Sequence, residues 1–174
     1  MSYSAQSTVL TPLGDMLLAC TTRGLAGAWF LEGQKDTPEA LEGVPYRPHD
    51  ALLHEASLQI SAYWQGQRRG FDLPLDLIGT DFQVSVWQHL LQIGHGQHQT
   101  YGDVARALAR PKGFRAVGMA VGRNPLSIIV PCHRVMGQDG WLTGYSGGLH
   151  RKVALLQHEG VALDGQRVRA NPPA

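Results

Sequence analysis

The sequence predicts an α+β protein with two domains, a small N-terminal α/β domain over residues 1–78 and a mainly helical C-terminal domain over residues 79–160. Two observations support this division. Short apolar runs separated by proline and glycine fill the first part, which is typical of antiparallel hairpins. From Thr80 onward, apolar residues recur at helical spacing. Residues 161–174 lie beyond the last helical pattern, and we expect them to form a loosely ordered tail.

The N-terminal domain is predicted to begin with hairpin strands and to continue with a helix. Its first stretch, STVLTPLGDMLLACTTRGLAGAWFLEG, places turn residues between apolar runs. The next, DALLHEASLQISAYWQG, has apolar residues at helical spacing and ends at Gly66; these residues are Leu52, Leu53, Ala56, Ile60, Tyr63 and Trp64. FDLPLDLIGT then predicts a short strand and a turn, so the domain boundary falls near Ile78–Gly79.

The C-terminal domain contains a candidate helix-turn-helix motif. A first helix is predicted over TDFQVSVWQHLLQI. Thr100 with Asp103 three residues later indicates a capping-box start for the next helix, YGDVARALAR. After the break at PKGF, helical spacing resumes in RAVGMAVGRN, whose Gly118 and Gly122 permit another backbone to approach closely. Packing against a neighbouring helix and contact with a nucleic-acid backbone both explain these glycines.

The charges are distributed unevenly along the chain. Residues 1–79 carry five Lys/Arg against nine Asp/Glu, a net charge of −4, whereas residues 80–174 carry ten against five, a net charge of +5. Such asymmetry favours a polyanionic partner for the second half, although solvated surface charge explains it equally well.

Several protein classes are excluded by the composition. No apolar run approaches the ~20 residues that cross a bilayer, and the N-terminus lacks the pattern of a signal peptide. We therefore expect a cytoplasmic protein without a membrane partner, whose thiols stay reduced. The two cysteines, Cys20 and Cys132, predict neither a disulfide framework nor a CxxC redox pair.

The stretch SIIVPCHRVMG, residues 127–137, contains the more informative cysteine. Its strand-like run SIIV stops at Pro131, and Cys132 and His133 follow. Adjacent Cys and His rarely bind one zinc ion and no further ligand spacing completes a set, so we expect no metal. Two interpretations remain open, a buried inert thiol and a nucleophile that faces a cavity.

A nucleophilic cysteine needs a base, and the base needs an orienting group. His133 is the nearest base, but successive side chains in a strand point to opposite faces. Contact with Cys132 therefore requires a turn after Pro131 or an intervening water. Glu159 is of interest because an acid in the last turn of a helix opposes the helix dipole. Spacing alone does not choose among the five acids of the second half: Asp81, Asp103, Asp139, Glu159 and Asp164.

The motifs RAVG, GRNP, IIVPCHRV, GYSGGL and HEG resemble those of the 6-O-alkylguanine-DNA alkyltransferases, also called methylated-DNA–protein-cysteine methyltransferases. The resemblance covers residues 79–160. It implies a ribonuclease H-like layout for the N-terminal domain, which has no distinctive motif of its own. For the C-terminal domain it implies a winged-helix-type fold with a helix-turn-helix.

The resemblance also implies residue roles in catalysis. Cys132 is the nucleophile and alkyl acceptor, and His133 is the base that acts through a water. Glu159 orients His133, and Asn124 supports the active-site loop.

Further roles are implied in DNA binding. Tyr101 helps to rotate the damaged nucleotide out of the duplex, and Arg115 fills the space that it leaves. Gly118 permits close approach to the minor groove. Ser146, with the backbone around Val135 and Gly147, lines the pocket for the flipped base.

The function implied is DNA repair in a single turnover, by transfer of the alkyl group from 6-O-methylguanine, and from 4-O-methylthymine, in double-stranded DNA to Cys132. A thioether has no hydrolysis route, so each molecule is expected to act once, as a monomer and without a cofactor. Val121 departs from the polar residue that many relatives carry. From the residues alone, a DNA-binding sensor and a Cys-His-Glu acyl hydrolase remain alternatives.

Overall fold

The computed structural model describes residues 2–169, which divide into two compact units. Among these residues, the first unit comprises 2–79 with Pro125–Ile129, and the second comprises Thr80–Asn124 with 130–169. The segment Pro125–Ile129, which the sequence analysis placed in the C-terminal domain, joins the first unit through backbone pairing. Ala28 N donates to Pro125 O at 2.8 Å, and Ser127 N donates to Ala28 O at 3.0 Å.

The first unit is built on a three-stranded antiparallel sheet in the order β1 (Ala5–Val9), β2 (Met16–Thr21) and β3 (Gly24–Phe30). Every residue of β3 is buried, and helix α1 (Ala51–Trp64) packs against the sheet. The predicted hairpins and helix are therefore confirmed. The helix begins where the sequence changes from polar to apolar, because the Asp50 carboxylate accepts hydrogen bonds from two backbone amides of its first turn.

The strand predicted in FDLPLDLIGT is wrong. Only an isolated bridge forms there, between Leu25 and Leu75. Leu25 N donates to Pro74 O and Asp76 N donates to Leu25 O, both at 2.8 Å. Pro74 has no backbone N–H to contribute to a longer ladder, so pairing stops after this bridge.

Among the described residues, the second unit contains four α-helices and two strand pairs. In chain order these elements are α2 (Asp81–Leu90), β4 (Gln99–Thr100), α3 (Tyr101–Ala107), α4 (Phe114–Gly122), β5 (Val135–Met136), α5 (Leu149–His158), β6 (Leu163–Asp164) and β7 (Arg167–Val168). Strands β4 and β5 pair in parallel, and β6 and β7 form an antiparallel hairpin. None of the helices between residues 2 and 169 is both long and apolar enough to cross a membrane.

Helices α3 and α4 form the predicted helix-turn-helix. Thr100 and Asp103 make a reciprocal capping box at the start of α3, since Thr100 N donates to Asp103 Oδ2 at 2.9 Å and Asp103 N donates to Thr100 Oγ1 at 3.0 Å. The buried face of α4 consists of Val117, Ala120 and Val121. Val121 is thus a packing residue, which accounts for its apolar side chain.

The strand-like interpretation of SIIV is also wrong. Residues 127–129 form turns, and Ile128 has a φ of +73° although it is β-branched. This left-handed conformation is strained for such a residue, so the surrounding packing must hold it in place. Ile128 is 1% exposed. Any buried segment requires apolar residues, so a short apolar run of this kind has the same sequence pattern whether it forms a buried strand or a buried turn.

Helix α5 ends in the backbone pattern that glycine favours. Gly160 has a φ of +81°, its N–H bonds to Gln157 O, and Val161 N bonds to Leu156 O. Glu159 is thereby the last residue before the chain turns away from the helix axis.

The expectation of a loose tail from residue 161 onward is wrong for the described part. The β6–β7 hairpin follows α5, and Val168 lies in a buried cluster with Met136, Leu142 and Leu156. This apolar contact fixes the hairpin to the second unit. Residues 170–174 of the predicted tail lie outside the described residues.

Candidate active site

Cys132 occupies the first position of a short 3-10 helix, Cys132–Arg134, directly after Pro131. The required turn after Pro131 is therefore present. The preceding loop is held by Asn124, whose Nδ2 donates to Val130 O at 2.8 Å and to Cys132 Sγ at 3.1 Å. One amide group thus links the end of the helix-turn-helix to the sulfur atom.

The Cys132 thiol is buried, being 2% exposed. Burial raises its pKa, while the Asn124 hydrogen bond, the positive charge of Lys152 and a hydrogen bond from Tyr145 act to lower it. The net effect is a raised pKa, so the resting form at neutral pH is the protonated thiol. Nucleophilic attack by this sulfur therefore requires a base.

His133 is fully buried, and its Nε2 lies 3.0 Å from Glu159 Oε2. Burial lowers the pKa of His133. The Glu159 carboxylate acts to raise this pKa but does not overcome the effect of burial, so the imidazole is neutral. An ionised carboxylate only accepts hydrogen bonds, and the Nε2 atom must therefore carry the proton. His133 Nδ1 has no hydrogen-bond partner among the described residues. Its lone pair is available as a base.

Glu159 is held by a second partner that the sequence analysis missed. Arg134 Nε donates to Glu159 Oε1 and Arg134 Nη2 donates to Glu159 Oε2, each at 2.8 Å. Burial alone would raise the pKa of Glu159, but hydrogen bonds from Arg134 and His133 hold it well below its usual range. Arg134 Nη1 also donates to Ile93 O at 2.6 Å. Glu159 is therefore an ionised, fixed acceptor for His133.

Lys152 is another residue that the sequence analysis missed. Its side chain is fully buried, and Nζ donates to Val135 O at 2.5 Å and to Thr143 O at 3.1 Å. Burial lowers the pKa of Lys152 to about 8, although the charge of Cys132 acts to raise it. Lys152 lies on the buried face of α5, three residues before Leu155. The helical spacing of these two residues could have predicted its burial from the sequence.

Tyr101 lies at the first position of α3, which packs against α4. Its hydroxyl accepts a hydrogen bond from Thr143 Oγ1 at 3.4 Å. Burial raises the pKa of Tyr101, the hydrogen bond with Thr143 acts to lower it, and the negative charge of Cys132 in its thiolate form acts to raise it. A Cβ atom placed on Gly118 would lie 3.8 Å from the Tyr101 ring. Tyr101 therefore adjoins Gly118 and lies close enough to Cys132 for their charges to interact.

The remaining residues that the sequence predicted for the site occupy three other places. Arg115 is exposed on α4, with its guanidinium carbon 6.0 Å from the centre of the Phe114 ring. Ser146 and Gly147 lie in the loop before α5, where Gly147 O accepts a hydrogen bond from Arg151 Nη1 at 2.8 Å. The Val135 side chain is buried, and its carbonyl group is the acceptor for Lys152.

No three His, Cys, Asp or Glu side chains within residues 2–169 lie close enough together to hold a metal ion. The chemistry that the site supports is that of an oriented histidine base beside a hydrogen-bonded thiol.

Comparison with known proteins identifies the family of both halves. Residues 6–77 match the 6-O-methylguanine DNA methyltransferase ribonuclease-like domain, and residues 81–161 match the DNA binding domain of the same family. A methylated-DNA–protein-cysteine methyltransferase of Methanosarcina acetivorans is 43% identical over 152 residues, which cover 86% of this chain and 94% of the relative. The corresponding protein of Mycobacterium leprae is 48% identical over 149 residues, covering 86% and 88%.

Solved structures agree with these relatives. The crystal structure of the Mycobacterium tuberculosis 6-O-methylguanine methyltransferase is 42% identical, with a TM-score of 0.80 over 89% of this chain and 92% of that one. A structure of the M. tuberculosis protein in complex with DNA gives the same values. With both domains matched in order, this chain belongs to the 6-O-methylguanine DNA methyltransferase family.

Proposed function

We propose that the protein repairs double-stranded DNA by transferring the alkyl group of 6-O-methylguanine to Cys132 in a single turnover. The observation that carries the proposal is the arrangement of His133, whose Nε2 is held by Glu159 at 3.0 Å while Nδ1 has no protein partner among the described residues. The family relatives act on methylated DNA, as their names state.

The reaction balances without a cofactor. The thiol proton of Cys132 passes to His133 Nδ1 through one water, which leaves a thiolate. The sulfur attacks the methyl carbon, the C–O bond to guanine breaks, and its electron pair stays on the guanine. Guanine then takes up one proton, which balances the proton that His133 received from the thiol and leaves His133 neutral again. The products are a thioether at Cys132 and normal guanine, and no group in the site hydrolyses a thioether.

The surroundings of the thiol favour this step. Asn124 and Tyr145 offer hydrogen bonds that stabilise the developing thiolate, and Lys152 supplies a buried positive charge. These interactions strengthen as charge forms on the sulfur, so they favour the proton transfer that generates the thiolate. The buried pair of Arg134 and Glu159 keeps the histidine in its Nε2–H form throughout.

DNA binding in this proposal requires that the damaged nucleotide leave the base stack, because the buried sulfur cannot reach a base inside a duplex. Tyr101 presses on the rotated nucleotide, and Arg115, exposed on α4, occupies the vacated space. Gly118 leaves room for the minor-groove backbone. Ser146, Gly147 and the Val135 backbone line the pocket for the flipped base.

We extend the proposal to 4-O-methylthymine, whose methyl ether presents the same C–O bond to the sulfur. The protein acts as a monomer, since Cys132, His133 and Glu159 all come from one chain. We place it in the cytoplasm, where reducing conditions keep the Cys132 thiol available for reaction.

The test is the mass of the intact protein after incubation with a duplex that carries 6-O-methylguanine. We expect a gain of one methyl group in the wild type and in Cys20→Ala, because Cys20 lies in the first unit beside Asp50. We expect no gain in Cys132→Ser. An unchanged mass of the folded wild type would contradict the proposal and favour a DNA-binding sensor.

A further inference from the structure

Phe114 is the first residue of α4, and its large apolar side chain is 50% exposed. We propose that Phe114 is a second inserted side chain in the DNA complex, an apolar wedge that enters the minor groove beside Arg115 and unstacks the base step next to the rotated nucleotide. This inference rests on the proposed function and adds a residue to it.

The position of Phe114 within α4 supports this role. Residues four apart on a helix share a face, so Phe114 lies one turn before Gly118 on the same side. Gly118 in turn lies beside the Tyr101 ring, 3.8 Å from the position that its Cβ would take. Phe114 is therefore one helical turn from Gly118, the residue that adjoins the Tyr101 ring.

The exposed face of α4 has the shape that a wedge requires. Gly118 and Gly122 have no side chains that project from the helix, and a Cβ on Gly122 would meet nothing within 4 Å. The core of the unit does not use Phe114, because the buried face of the helix consists of Val117, Ala120 and Val121. A DNA backbone can thus approach the glycines while Phe114 projects at the start of the helix.

The charge around Phe114 favours nucleic acid as the partner. Residues 104–123 contain five Lys/Arg and no Asp/Glu, and within the described part of the chain Arg106 alone among these five is ion-paired, with Asp103 just before the range. An apolar protein surface gains nothing from so many cations, whereas phosphates are neutralised by them. Proteins that bind the minor groove commonly insert Phe, Leu, Ile or Met between base steps, with arginine beside them. The contact of Arg115 with the Phe114 ring pairs these two side chains before DNA is bound.

The experiment compares wild type, Phe114→Ala and Phe114→Leu on two substrates. The first is a short duplex with 2-aminopurine beside 6-O-methylguanine, in which fluorescence reports unstacking and methyl transfer reports repair. The second is free 6-O-benzylguanine, which needs no unstacking. Leu58→Ala is the matched control, because Leu58 is 52% exposed on α1 of the other unit.

We expect Phe114→Ala to lose about tenfold in duplex repair rate, with a smaller fluorescence rise, because a stacking contact with one base is removed. Phe114→Leu should recover part of both signals, and the benzylguanine reaction should match wild type in every variant. The salt dependence of duplex affinity should not change in Phe114→Ala, since no phosphate contact is lost.

Two results overturn the inference in separable ways. Duplex repair and fluorescence equal to wild type in Phe114→Ala would show that Phe114 is not a wedge while leaving the proposed function intact. Equal losses on duplex and benzylguanine would show that Phe114 supports the fold of the unit instead. Failure of the wild type itself to take up a methyl group would be a failure of the proposed function.

Discussion

The side-chain nitrogen of Asn124 lies 3.1 Å from the sulfur of Cys132 and 2.8 Å from the carbonyl oxygen of Val130. A single amide group thus positions the loop before the nucleophile and also stabilises negative charge on the nucleophile. Both effects arise from a residue that lies just beyond α4, two residues after Gly122.

Asn124→Ala removes both hydrogen bonds. The buried Val130 carbonyl loses a donor, which we expect to lower the free energy of unfolding by about 1–3 kcal/mol. The pKa of Cys132 should rise further, because the hydrogen bond that favours the thiolate is lost. The pH dependence of the reaction with 6-O-benzylguanine should therefore move to higher pH. An unmoved profile would mean that the Asn124 amide acts only on the loop.

Glu159→Gln leaves Arg134 buried without its ionic partner. Removal of one member of a buried ion pair costs about 3–5 kcal/mol, and we expect a loss of this size in urea unfolding near neutral pH. Glu39→Gln is the control, because Glu39 is exposed and its replacement should change stability by less than about 0.5 kcal/mol.

The same carboxylate predicts a pH dependence of stability. The folded pKa of Glu159 lies well below its ordinary value of 4.5, so its contribution is present above that pH. As the pH falls below 4.5, the unfolded chain takes up a proton that the folded protein does not, and stability is lost. Glu159→Gln should lose less stability than wild type on the same acidification. Parallel losses in the two proteins would contradict the assigned ion pair.

Lys152→Met tests the buried cation near Cys132. The folded pKa of Lys152 is about 8, below its ordinary 10.5. Between these values the folded protein has released the proton and the unfolded chain has not, so this group makes stability rise with pH. We would measure the free energy of unfolding in urea below pH 8 and near pH 10.5. Its rise between these two conditions should be smaller in Lys152→Met than in wild type. Identical pH dependences would show that Lys152 is not the titrating group.

Arg115→Ala separates unstacking from chemistry. The duplex reaction needs the nucleotide to leave the stack, at a cost of a few kcal/mol that Arg115 offsets by filling the gap. We expect the rate on duplex DNA to fall by about tenfold or more, and the rate on free 6-O-benzylguanine to stay unchanged. Arg69→Ala, an exposed arginine of the first unit, should affect neither. Equal losses on both substrates would assign Arg115 to the fold or the pocket.

Local signals in the sequence were sufficient for much of the fold. Thr100 and Asp103 predicted a helix start because a capping box is made by residues three apart. The helix-turn-helix followed from the helical patterns on either side of the break at PKGF. In the same way, Pro131 followed by Cys132 singled out a thiol at the end of a buried run.

Long-range contacts account for what the sequence did not predict. Arg134 is buried against Ile93 and Glu159, which lie 41 and 25 residues away in the sequence. No spacing rule connects groups so far apart, so this burial could not be predicted. The hairpin after Gly160 looked like a tail because its short strands carry little periodicity. Val168 becomes part of the core only through Met136 and Leu142.

The site roles were only partly derivable for the same reason. Five acids were available to orient His133, and Glu159 is the one that the fold brings to 3.0 Å. Lys152 could have been noticed as a cation on the buried face of α5. Its closeness to Cys132 could not, because the two residues belong to separate segments of the chain.

The measurement that most directly tests the central claim is peptide mapping after reaction with excess damaged duplex. Cleavage after arginine and lysine isolates residues 124–134, which contain Cys132, from the N-terminal peptide that contains Cys20. We predict one methyl group on the 124–134 peptide, none on the Cys20 peptide, and one repaired guanine for each protein molecule. Repair of many guanines per molecule, or a methyl group on Cys20, would contradict the account.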